Sequence, residues 1–139
     1  MTHRRPDRRG MGWMVAALLL AAGPAPADPA SGPPPDPEHG KALFRACALC
    51  HTLTPDGGNR AGPTLWGLFG RPAGSVPGYR YSDALKNSGI VWDEAAVSRL
   101  FEAGPDTVTP GSKMPLQTIP SASDRADLLA YLREVTTPP

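Results

Sequence analysis

Residues 47–51 read Cys47-Ala48-Leu49-Cys50-His51. Two thiols three positions apart can add across both vinyl groups of one haem, which leaves the adjoining imidazole placed to bind the iron. This is the spacing of c-type haem attachment. Plainer chemistries fit less well. A thioredoxin-like redox pair wants a strand before it inside a βαβ unit, whereas Glu38 to Ala46 look helical. A structural zinc ion wants four ligands, and the chain offers Cys47 and Cys50 with His3, His39 and His51. A disulfide would leave His51 without a task. One covalently attached haem c, with His51 as an axial iron ligand, is the expected cofactor.

The sixth iron position then decides the chemistry. Beyond residue 27 the chain holds a single methionine, Met114, in Thr109-Pro110-Gly111-Ser112-Lys113-Met114-Pro115. A methionine in a polar, proline-bounded loop is not the usual flexible core filler, and Met114 is the expected second axial ligand. His39 competes for that role, but it lies on the first helix and reads more simply as a solvated side chain. A His/Met pair raises the iron's potential. With both axial positions filled, the iron is poorly placed to bind oxygen or peroxide, and electron transfer becomes the natural task.

The elements that must position these residues are helical. Glu38 to Cys47 predicts a first helix, with Leu43, Phe44 and Ala46 towards one face. Thr52 to Val76 is dense in glycine and proline and reads as loop, with a turn near Leu65 to Phe69. Ser82 to Asn87 suits a short helix closed by Gly89. Asp93 to Ala103 suits a longer one, with acids at its start, Ala96, Val97, Leu100 and Phe101 on one face, and Gly104-Pro105 to stop it. Val108 to Pro120 reads as loop. Ser121 or Ser123 caps a final helix that buries Leu128, Tyr131, Leu132 and Val135. No alternating strand run is present, so the expected class is all-α, with long loops that wrap something.

The chain has 139 residues, room for one domain. Residues 1–27 read as a cleaved signal peptide: Arg4, Arg5, Arg8 and Arg9, an apolar run from Met11 to Ala22, and the small-x-small site Ala25-Pro26-Ala27. The run is shorter than the about 20 residues of a membrane span, so an uncleaved anchor is the weaker reading. Residues 28–37 read as a proline-rich tail, and residues 38–136 as the folded domain, which is small enough to need a haem at its centre. Removing four arginines and one aspartate from 14 basic and 13 acidic residues leaves 10 against 12, a net charge of −2. That balance gives no nucleic-acid footprint.

From Gly40 to Tyr131 the sequence resembles the class I c-type cytochromes, near the mitochondrial cytochrome c and bacterial cytochrome c2 group. The resemblance is carried, in order, by Gly40 and Phe44 and by the Cys47–His51 motif. It continues through Gly62-Pro63-Thr64-Leu65-Trp66-Gly67-Leu68-Phe69-Gly70-Arg71, Tyr79-Arg80-Tyr81-Ser82-Asp83-Ala84 and Gly89-Ile90-Val91-Trp92. Pro110-Gly111-Ser112-Lys113-Met114, Leu128 and Tyr131 complete it. It implies a small class I cytochrome c fold in which the N- and C-terminal helices cross. It also implies that the Pro63 carbonyl accepts the free imidazole N–H of His51. Arg71, Tyr81 and Trp92 would meet the haem propionates, and Ser112 would keep a hydroxyl near a propionate or the methionine loop. Leu85 stands where the family often has asparagine, and Leu100 where it often has tyrosine, which implies a drier pocket around Met114.

The expected protein is thus a periplasmic single-haem electron carrier, not an enzyme, that shuttles one electron between redox complexes as iron cycles between Fe(II) and Fe(III). A haem subunit of a larger oxidoreductase, or a haem enzyme with an open sixth site, are the alternatives. The partners expected are transient redox proteins, with no nucleic acid, no membrane span in the mature form, and a monomeric state. Arg45, Arg60, Lys86 and Lys113 are candidates for a sparse basic rim around the exposed haem edge, suited to weak and brief docking.

Overall fold

The computed structural model describes residues 32–139. The signal peptide read over residues 1–27, and the tail as far as residue 31, lie outside the described residues. Helix α1 spans Pro37–Phe44. Asp36 starts it: its Oδ1 accepts the backbone N–H of Glu38 at 2.9 Å and of His39 at 3.3 Å, while Pro37 fills a first-turn position that has no N–H to lose. The sequence predicts this helix through Cys47, but it ends at Phe44, and a single 3-10 turn, Cys47–Leu49, takes over. In that turn the N–H groups of Cys50 and His51 both donate to the Cys47 carbonyl at 3.0 Å. Side chains three apart eclipse in a 3-10 turn, so Cys47 and Cys50 project to the same side.

Helix α2 spans Asp83–Lys86, capped by Ser82, and α3 spans Glu94–Ala103, capped by Asp93. Gly104, at φ 86°, ends α3 in a conformation that a β-carbon would strain. A further turn of helix, α4 (Pro105–Val108), follows at once, where Gly104-Pro105 was expected only to stop α3. Two strands also appear where none was expected: β1 (Arg71–Pro72) pairs antiparallel with β2 (Val91–Trp92). Two residues are too few to leave an alternating pattern in a sequence. Helix α5 spans Ala122–Thr136, and of the two serines proposed as its cap, Ser121 accepts the N–H of Asp124 at 3.2 Å.

The architecture is helical, with α1 crossing α5. At the crossing Gly40 lies against the Asp127 backbone carbonyl, and a β-carbon at position 40 would come within 2.9 Å of the Tyr131 Cβ. Phe44 and Tyr131 meet there with ring centroids 5.8 Å apart. Phe44, Leu68, Val97, Phe101, Leu128 and Leu132 form the buried cluster, and Leu43, Leu65, Trp92 and Met114 pack on it. Tyr131 and Val135 are half-buried, whereas Arg125 and Thr136 on the same helix are buried. The Thr136 carbonyl accepts the Gly67 N–H at 2.8 Å and so joins the last turn of α5 to the loop before β1.

Candidate haem site

The attachment turn and the loop that follows it set the position of His51. Gly62 N–H donates to the Cys50 carbonyl at 2.9 Å, and Arg60 N–H donates to the Gly62 carbonyl at 2.8 Å. This folds the 60–63 segment back over the imidazole. A β-carbon on Gly62 would lie 2.5 Å from the His51 Cε1, so the backbone rests directly on the ring. The ring's Nδ1 then sits 2.7 Å from the Pro63 carbonyl. A carbonyl can only accept, so the proton is on Nδ1 and Nε2 keeps its lone pair for a metal. Burial pushes the His51 pKa down, opposed by the Pro63 carbonyl, and keeps the ring in the neutral form that metals bind. Burial, reinforced by Cys50, pushes the Cys47 thiol up.

The methionine loop is built from the other end of the chain. Ser112 Oγ accepts the Met114 N–H at 3.1 Å, and Ser112 N–H donates to the Thr109 carbonyl at 3.0 Å. Buried Thr109 donates its hydroxyl to the Pro105 carbonyl at 3.0 Å, which fastens the loop to α4. Its far end is held by Arg125. One guanidinium nitrogen donates to the carbonyls of Ile119 and Pro120 at 2.7 and 2.8 Å, while Nε donates to Ser98 Oγ at 3.2 Å. Arg125 was not foreseen as a buried residue. It lies three and seven positions before Leu128 and Leu132, so helical spacing puts it on their face.

Cys47, Cys50, His51, Pro63, Arg71, Tyr81, Trp92, Ser112 and Met114 all line one cavity. Leu68, Leu85, Leu100, Phe101 and Leu128 supply apolar wall. The centres of water molecules could range over about 180 Å³ of it, against roughly 10–15 Å³ for a single water. Protein interiors pack to crystal-like density, so an apolar hollow of this size is shaped around a large group. Two thiols on one side of a turn, an imidazole with its metal-binding nitrogen free, a thioether and apolar walls fit a covalently held haem.

The polar residues expected near the propionates are placed unequally. Arg71 lines the cavity, but its guanidinium also donates to the Trp66 carbonyl at 2.7 Å and the Thr64 carbonyl at 3.0 Å. Burial lowers its pKa and raises that of Tyr81. Tyr81 packs edge-on against Tyr79 at 4.7 Å, and Tyr79 donates its hydroxyl to the Ala61 carbonyl at 2.7 Å. Tyr79 and Arg80, given no individual role from the sequence, line the cavity too. His39 does not line it; its Nδ1 lies 2.8 Å from Asp127 Oδ2, at the helix crossing. Of the proposed basic rim, Lys86 is paired with Asp83 at 2.6 Å.

Comparison with known proteins agrees with this geometry. The family described as Cytochrome c matches residues 37–136. A cytochrome c of Gibberella zeae is 46% identical over 102 residues, covering 73% of this chain and 95% of that relative. A cytochrome c2 of Rhodopila globiformis is 46% identical over 103 residues, covering 73% of this chain and 95% of its own. A cytochrome c2 of Rhodomicrobium vannielii is 42% identical over 97 residues, covering 70% and 77%.

Proposed function

The chain belongs to the cytochrome c family, and from that membership we propose a periplasmic carrier that shuttles single electrons between redox complexes. It carries one covalently attached haem c and is an electron carrier, not an enzyme. When bound, the haem supplies a one-electron Fe(II)/Fe(III) couple. In the proposed arrangement Cys47 and Cys50 would form the thioethers, and His51 and Met114 would bind the iron. Pro63 fixes the imidazole through its Nδ1–H, and Ser112 shapes the loop that presents the thioether. Arg71, Tyr81 and Trp92 offer donors to the propionates, with the Arg71 fork already steadied by two backbone carbonyls. The apolar wall would keep water and other ligands from the iron.

The observation that carries this reading is that the Cys47–His51 motif and the distant Met114 open onto one cavity. The test is a redox titration with optical spectra of the purified protein, repeated on Met114→Ala. Loss of the low-spin, six-coordinate spectrum in the variant is the expected result; unchanged coordination would remove Met114 from the iron. Export is supported by the composition of residues 1–27. Among the described residues no helix is long and apolar enough to cross a membrane. A mature N-terminus at Asp28 in the periplasmic fraction is expected, and retention of residues 1–27 on the membrane would make the segment an anchor instead.

A further inference from the structure

We propose that His39, Asp124 and Asp127 form a site for a divalent transition metal of the zinc class where α1 crosses α5. One ligand atom from each of the three side chains lies within 4.8 Å of the other two. His39 Nδ1 and Asp127 Oδ2 are already 2.8 Å apart. A zinc ion holds imidazole nitrogen and carboxylate oxygen at about 2.0–2.2 Å, so its ligands sit within about 4.4 Å of one another. A small side-chain rotation closes the difference. The convergence follows from the packing. Gly40 has no β-carbon, so α1 rests directly on the Asp127 backbone carbonyl and brings position 39 beside the first two turns of α5.

An ion pair between His39 and Asp127 accounts for two of these groups but not for the third. The Asp124 carboxylate has no hydrogen-bond or ion-pair partner among the described residues, yet it stands beside the imidazole. Lys41, the next basic residue along α1, pairs with Glu38 at 3.6 Å instead. Two carboxylates and a neutral imidazole carry two negative charges, which one divalent cation offsets. Asp127 is oriented for that role, because the Asp36 N–H binds its Oδ1 at 2.7 Å and leaves Oδ2 towards His39. Imidazole suits zinc, copper or nickel, whereas magnesium and calcium take sets of oxygens. The His39 side chain is 46% exposed, so the ion can enter from solution and keep water in its remaining position. Once bound it would join positions 88 residues apart and pin the two terminal helices of the folded unit.

The test uses the haem-loaded protein, without an affinity tag, titrated with zinc chloride in a calorimeter. One ion per chain is expected, bound more tightly than magnesium, and zinc in large excess over Kd should raise the thermal midpoint by several degrees. Losing a ligand costs at least as much as losing an outer-shell partner, about 10–100-fold. Asp124→Asn decides the matter, because that side chain holds no bond in the fold. It should weaken zinc binding by at least about tenfold, with the optical spectrum and the metal-free midpoint close to wild type. His39→Gln should weaken zinc binding to the same degree or more. The proposal is overturned if zinc fails to bind below about 1 mM. It is equally overturned if both variants bind zinc as the wild type does, which would place the ion elsewhere, the haem propionates included. Magnesium bound as tightly as zinc would also overturn it, since that is the behaviour of a plain acidic patch.

Discussion

Beside the His51 ring the backbone comes so close that only glycine fits at position 62. The imidazole is thus set by a main-chain contact as well as by Pro63. A second residue-level feature is the pair Leu85 and Leu100, each 8% exposed and lining the same cavity as Met114. An apolar wall disfavours the extra positive charge of Fe(III). Leu100→Tyr is therefore expected to lower the midpoint potential by a few tens of millivolts, where about 59 mV is a tenfold change for one electron. A potentiometric titration checks this, and an unmoved potential would show that position 100 does not face the iron. Cys47, Cys50, His51 and Met114 could be picked out of the sequence because iron and thioether chemistry demand particular atoms. The two backbone bonds of Arg71 could not, since they depend on where the Thr64 and Trp66 carbonyls point once the loop is folded.

At the scale of elements, the crossing of α1 and α5 carries a titrating clasp. Asp127 raises the pKa of His39 through their hydrogen bond, with Asp124 and Asp36 adding to it; the same bond lowers the pKa of Asp127. The His39 contribution is complete below its unfolded value, about 6.5, and is lost as pH rises through its higher folded value. The Asp127 contribution runs the other way and is lost as pH falls through its depressed value. The thermal midpoint of the wild type should therefore decline between about pH 6 and pH 8. His39→Gln should flatten that decline, by a few degrees at most because the site is exposed. Arg125 matters more. Arg125→Met would strand the Ile119 and Pro120 carbonyls, at a cost of about 2–4 kcal/mol, and should free the methionine loop first. In a denaturant titration the Met–iron absorbance band should disappear before helicity does; coincident, unshifted transitions would show the anchor to be idle. The longer helices were readable from caps and 3.6-residue spacing. Helix α4 and the β1–β2 ladder were not, because a four-residue turn is shorter than the pattern that would reveal it and a two-residue pairing depends on a partner far along the chain.

For the whole molecule, the all-α class and the need for a central group followed from helical spacing, long glycine-rich loops and small size. The cavity's completion did not, because its walls come from loops whose closure depends on tertiary bonds. One such bond, Asp36 N–H to Asp127 Oδ1 at 2.7 Å, joins positions 91 residues apart. Helix α1 packs chiefly on α5, whose 15 residues lie far along the chain from it. A chain emerging N-terminus first should therefore keep Cys47 and Cys50 open until residues 122–136 are available to dock. On that order haem would be joined before the helices close, a clock set by the length of chain between them. With haem withheld, a chain ending at Pro120 should leave both thiols fully reactive to a thiol-alkylating reagent, while the full-length chain shields Cys47; equal labelling of the two chains would stop that clock.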